Sequence, residues 1–108
     1  MLEDQIYSYH AEMCKVFSHP KRLELINLLR EKEMSVSDLS QRLQLASANL
    51  SQHLAMMRGR RILVSRKEGN VVYYRIANPK LLRAFDMLRE ILFEQIRQDA
   101  SLIQGKTS

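Results

Sequence analysis

The sequence predicts a mainly helical fold with a small two-stranded β wing, in the order α-α-α-α-β-β-α. Three observations carry that prediction. Two short amphipathic patterns lie close together, Val36-Ser-Asp-Leu39-Ser-Gln-Arg-Leu43 and Ser47-Ala-Asn-Leu50-Ser-Gln-His-Leu54-Ala-Met-Met57. Their apolar residues recur at spacings of three and four, the period of a helix with one buried face. Residues 62–76 then alternate around Glu68-Gly69-Asn70, a hairpin signal. Further helical stripes precede and follow this unit. Helix, tight turn, helix and ribbon together make a winged helix-turn-helix, which lays one helix in the major groove of DNA and a ribbon on the flanking backbone.

The elements follow in order. Ile6, Tyr9, Met13, Val16 and Phe17 give a first helix over 5–17. His19-Pro20 ends it and opens the next, since Pro is tolerated at a first helical position. That second helix is expected over 20–32, with Leu23, Leu25, Ile26, Leu28 and Leu29 as its apolar stripe. Ser35-x-x-Asp38 reads as a capping box for the third helix, and Leu45 sits in the turn. The fourth helix, 47–58, turns Leu50, Leu54 and Met57 inward. Strands over 62–68 and 71–77 form the wing. Asn78-Pro79 breaks the second strand and opens a long last helix, 79–98, after which 99–108 is polar and expected to fray.

Composition narrows the class. A chain of 108 residues supports one small domain, here 1–108, with 36–58 as the helix-turn-helix and 62–77 as the wing. The net charge of +5 favours polyanions, although its placement matters more than its sum. No apolar run reaches a membrane span, and the first residues have no signal-peptide pattern. A single Cys14 fits a reducing, cytoplasmic setting. There is no nucleophile–base pair, phosphate loop or metal cluster, so an enzyme is not expected, and neither is a cofactor.

The first and last helices carry more apolar surface than so small a core can cover. A homodimer interface of Ile6, Tyr9, Met13, Phe17, Leu81, Phe85, Leu88, Ile91 and Leu92 is the expected outlet. The outward face of the fourth helix holds Ser47, Ala48, Asn49, Ser51, Gln52 and His53. Asn and Gln pair bidentately with adenine, and no carboxylate is present to repel phosphate. His53 has two readings, a DNA contact or a packing contact between helices. Arg58, Arg60 and Arg61, with Arg66 and Lys67 in the wing, form a basic rim suited to phosphates. Double-stranded operator DNA is the expected partner. An architectural winged helix that binds DNA without sequence preference is the alternative, against which the uncharged reading face argues.

Pro20-Lys-Arg-Leu-Glu-Leu, Ser35-Val-Ser-Asp-Leu, Asn49-Leu-Ser-Gln-His-Leu and Glu68-Gly-Asn-Val-Val-Tyr-Tyr-Arg-Ile resemble, in this order, the ArsR/SmtB family of bacterial repressors, over roughly residues 6–97. The resemblance implies a winged-helix homodimer that represses its own operon and leaves the operator when an inducer binds. It also implies where metals sit in other members, and this chain departs there. The thiol positions at the start of the third helix are Ser35, Ser37 and Ser40. A hydroxyl is a poor ligand for a soft metal. The positions matching the zinc and nickel ligands of the last helix are Asn78, Lys80, Ile91 and Glu94; Lys80 is a cation and Ile91 has no donor atom. No metal site is therefore expected, and an inducer would be an unknown small molecule. Arg61 stands where the family usually has Gly, and Gly59 is expected to supply the left-handed cap instead. Cys14, with His10 one turn earlier, is the remaining sensor candidate, a thiol open to oxidants or reactive sulfur. Sulfur-sensing members use two cysteines per subunit, and the competing reading of Cys14 is a small buried hydrophobe. Asp86, Glu90 and Glu94 form a carboxylate stripe beside Arg83, Arg89 and Arg97, which reads as a charged surface face.

Overall fold

The computed structural model describes the backbone of residues 2–107 and the side chains of 2–101. Helix α1 spans Leu2–Cys14, followed by a 3-10 turn at Lys15–Phe17. Then come α2 (Pro20–Leu28), β1 (Met34–Ser35), α3 (Val36–Leu43), α4 (Ser47–Gly59), β2 (Leu63–Glu68), β3 (Val71–Ile76) and α5 (Lys80–Thr107).

Several boundaries differ from the sequence expectation, each for a local reason. α1 tightens into a 3-10 turn where Val16 enters the core. α2 stops at Leu28, ahead of expected residue 32, where the charged run Arg30-Glu-Lys-Glu33 offers nothing to bury. The two-stranded wing, β2 with β3, is part of a three-stranded sheet. Met34 and Ser35 add a third strand in the order β1-β3-β2, pairing antiparallel with Tyr74 and Tyr73. Two residues are too few to show an alternating pattern. α5 continues through Thr107 where fraying from 99 was expected, and Ser108 lies outside the described residues. Its start is capped by Asn78, whose Oδ1 accepts from the Lys80 N–H at 3.0 Å.

The wing turn is Gly69-Asn70, with φ of 61° at Gly69 alone, the II′ pattern whose twist suits a hairpin. Gly59 does not supply the left-handed cap; it is the last residue of α4, and Arg61 itself takes φ of 60°. An L side chain there crowds its own carbonyl, a strain glycine would avoid.

The core is the junction of the helix-turn-helix with the sheet. Leu25, Ile26, Leu39, Leu50, Leu54, Met57 and Leu63 are all within 2% of fully buried. Phe85, expected in the dimer interface, is 4% exposed and belongs to this core, clasped by Arg30 and Arg89 over its ring faces. Phe17 and Leu81 are half-buried beside it. α1, in contrast, buries none of its residues. Ile6, Tyr9 and Met13 on α1 and Leu88, Ile91 and Leu92 on α5 are each about half exposed or more. Arg30, just past the end of α2, is held to α5 by two bonds to the Asp86 carboxylate, at 3.0 and 2.7 Å. Asp86 therefore leaves the carboxylate stripe for an ion pair, which holds its carboxyl below the usual range.

Candidate nucleic-acid interface

The reading unit is built around a fixed turn. Ser35 Oγ accepts from the Asp38 N–H at 3.1 Å and starts α3. Gln44, at φ 51°, ends it in the left-handed region. Ser40 bridges the corner: its backbone carbonyl accepts from Leu45 N–H, and its hydroxyl donates to the Leu45 carbonyl at 2.7 Å. Lys21 Nζ donates to the Leu43 carbonyl at 3.1 Å, placing a cation at the negative end of α3. These bonds set the angle at which α4 leaves the turn.

α4 begins at Ser47 with Ala46 as N-cap and no side-chain cap. Its first N–H groups are left open, with the positive end of the helix dipole behind them. Ser47, Ala48, Asn49, Ser51 and Gln52 are exposed on the face opposite the buried Leu50, Leu54 and Met57. His53 is half-buried, its ring centroid 4.5 Å from that of His19 at an interplanar angle of 57°. His19 in turn caps α2, its Nδ1 accepting from the Lys21 N–H at 3.1 Å. His53 thus has the interhelical packing contact that was one of its two readings. Burial, then the charges of His19 and Arg22, push its imidazole below the ordinary value of 6.5.

The five rim cations do not lie on one surface. Arg58 donates to Ser65 Oγ on β2 at 3.3 Å, which puts it on the wing side. Lys67 is exposed, and no hydrogen bond or ion pair engages its ammonium among the described residues. Arg66, about half exposed, has three partners. It forks onto the Glu33 carboxylate, donates to Glu68 Oε2 at 2.9 Å, and lies 4.5 Å above the Tyr73 ring. Those carboxylates raise the Arg66 pKa further, and Arg66 holds the Glu33 carboxyl low. Arg60 instead reaches α1, bonding Glu12. Arg61 lines a groove of about 660 Å³ between α1 and α5, with Cys14, His10, Lys80, Leu88 and Ile91 among the other walls.

Both sensor candidates, Cys14 and His10, are therefore exposed on the groove between the first and last helices. Among the described residues, no three His, Cys, Asp or Glu side chains come together as a metal site, and no helix is long and apolar enough to cross a membrane. Sequence reasoning missed Glu12 and Glu33, the partners that immobilise two rim arginines. They lie 48 and 33 residues from those arginines, beyond any local pattern.

A fixed helix-turn-helix, an open-ended reading helix and a β wing define a winged helix-turn-helix DNA-binding protein. Comparison with known proteins agrees. Residues 19–65 match the family model described as bacterial regulatory protein, arsR family. The chain is 30% identical over 105 residues to the HTH-type transcriptional regulator Rv0081 of Mycobacterium tuberculosis, covering 96% of this chain and 92% of that one. The Rv0081 crystal structure superposes with a TM-score of 0.80 at 31% identity, over 88% of this chain and 96% of the other. The transcriptional repressor PagR of Bacillus anthracis is 38% identical over 75% of this chain and 82% of its own, and its crystal structure gives a TM-score of 0.67 at 35% identity, over 78% and 97%. At 22% identity and a TM-score of 0.80, over 89% of each chain, the homodimeric winged helix-turn-helix DNA-binding domain of Mb0332 from Mycobacterium bovis shares the fold. The chain belongs to the arsR family of bacterial regulatory proteins, and is a DNA-binding transcriptional regulator, not an enzyme.

Proposed function

We propose that the protein is a sequence-specific, autoregulatory repressor, which binds double-stranded operator DNA as a homodimer in the cytoplasm and leaves it when an inducer binds. One observation carries the DNA reading: α4 presents Ser47, Asn49, Ser51 and Gln52, exposed and free of carboxylates, at an uncapped N-terminus beside a wing. Side chains of this kind discriminate bases, whereas a binder without preference gains more from Lys and Arg. The dimer reading rests on the apolar faces of α1 and α5 that the single chain leaves exposed, and on the homodimeric Mb0332. The repressor reading draws on PagR, a named repressor. In this reading residues 1–108 act as one winged-helix unit, with α3 and α4 reading, the hairpin gripping the backbone, and α1 and α5 dimerising.

The inducer is not a soft metal at the thiol position, because Ser35, Ser37 and Ser40 occupy it. A thiol-responsive form of the same function is favoured by one observation, the exposure of Cys14. Fluorescence anisotropy on DNA from upstream of the protein's own gene, against scrambled duplex, tests the whole. Binding that resists scrambled competitor supports a sequence-specific regulator, and a reporter that rises when the gene is deleted supports repression. Equal competition overturns the first, and a reporter that falls overturns the second. A Cys14→Ser variant whose DNA release by thiol oxidants or persulfides matches the wild type removes the thiol reading.

A further inference from the structure

The outer face of the wing holds a contact that binding to a polyanion has to break. Arg66 on β2 and Ser35 on β1 both stand opposite Tyr73 of β3, forming one row across the sheet. Glu33 precedes Ser35 by two residues, so it shares that face. From there its carboxylate takes the Arg66 fork, Nε donating to Oε1 and Oε2 at 3.0 and 2.9 Å and Nη2 adding a further bond to Oε1. Glu68 takes Nη1 from the other side, and the Tyr73 ring closes one face. A planar guanidinium forked onto two oxygens has the geometry it also adopts on a phosphate.

We propose that Glu33 stands in for a DNA phosphate, holding Arg66 closed until the wing meets the backbone. Resting on the DNA-binding reading above, this assigns a regulatory counter-ion to the same interface. The wing's fold does not depend on the clamp, because β2 and β3 pair over six residues each, from Leu63↔Ile76 to Glu68↔Val71. What the carboxylate changes is charge. Arg66 and Lys67 are balanced by Glu33 and Glu68, which leaves the Lys67 ammonium as the one uncommitted cation among the wing residues Arg66, Lys67 and Glu68. A phosphate must displace one carboxylate to gain the arginine. Because the pair is solvent-exposed, the exchange is within reach of a strong polyanion.

The test is Glu33→Gln, which keeps the shape and the hydrogen-bond acceptor but removes the charge. Affinity is measured by anisotropy on operator and on scrambled duplex across a salt series. Glu31→Gln is the control, an equal change of net charge on an exposed residue that does not touch Arg66. The expected result is an E33Q gain of about two- to fivefold on both duplexes, beyond any E31Q gain. The salt slope should steepen by about one ion, and adding R66Q should remove the gain. An E33Q affinity equal to or below that of wild type, or a gain matched by E31Q, overturns the proposal. Wild-type protein without operator preference would instead sink the function proposed above, while the clamp would still be read on the scrambled duplex.

Discussion

Arg60, the residue after α4, holds Glu12 of α1 through two atoms: Nη2 donates to the carboxylate at 2.7 Å, and Nε donates to the Glu12 carbonyl at 3.0 Å. Lys15 takes the other carboxylate oxygen at 2.7 Å, and the hydrogen bonds from Lys15 and then Arg60 lower the Glu12 pKa. Since α1 buries none of its own residues, this clamp is what ties it to the end of α4. Arg60→Ala should lower the thermal midpoint by a few degrees and weaken dimerisation in sedimentation equilibrium. Glu12→Gln should do less, because the carbonyl bond survives. Additive effects in the double variant would show that the two residues do not act as a pair.

Replacing Arg61 by Gly should stabilise the chain. A left-handed L residue costs about 1–2 kcal/mol, and glycine returns part of that as chain entropy, so a net gain of about 0.5–1 kcal/mol is expected. Urea unfolding of R61G beside wild type reads it directly. A loss would mean that the Arg61 side chain contributes more than its left-handed backbone costs.

The partly buried imidazole of His53 makes stability sensitive to mild acid. Unfolded, His53 binds its proton near 6.5; folded, it binds one only at lower pH. As pH falls through 6.5 the unfolded chain takes up protons first, so this contribution is complete above 6.5 and declines down to the folded value. Glu12, Glu33 and Asp86 shift the other way in charge, and their contributions fade at lower pH, below ordinary values of 4.5, 4.5 and 3.8. Urea midpoints between pH 7.5 and 5.5 should fall for wild type and stay flatter for His53→Asn. An unchanged wild-type midpoint across that window would contradict the assignment.

Gln52→Ala should reduce discrimination between operator and scrambled DNA by about 1–3 kcal/mol, the worth of one bidentate base contact. Competition anisotropy at fixed salt measures it. Equal loss on both duplexes would move Gln52 from bases to backbone.

Lys67→Ala should weaken all sequences alike and reduce the salt slope by about one ion. An unaltered slope would take the wing tip off the phosphates.

Much of the fold could be read from periodicity. The inward set of α4, Leu50, Leu54 and Met57, is buried as its spacing requires, and the Ser35 cap and the Gly69-Asn70 turn stand where local chemistry puts them. β1 could not be read, because two residues carry no period and gain strand geometry only from Tyr73 and Tyr74 across the sheet. The basic rim was legible as composition but not as a surface. Arg58, Arg60, Arg61, Arg66 and Lys67 are near in sequence, yet Glu12 and Glu33 turn two of them toward intramolecular partners. Gly59 stays helical for a related reason: Met57 is still buried, so α4 runs through the glycine and the left-handed turn falls at Arg61.

If the homodimer proposed above covers α1, the apolar side of this helix sets a lower limit on how dilute the protein can become. A separated chain would display Leu2, Ile6, Tyr7, Tyr9 and Met13 on a thirteen-residue helix with no layer beneath it. Segments of that kind fray and are cut by proteases or captured by chaperones. In the proposed homodimer, dilution that separates the copies would expose this helix and shorten the life of the chain.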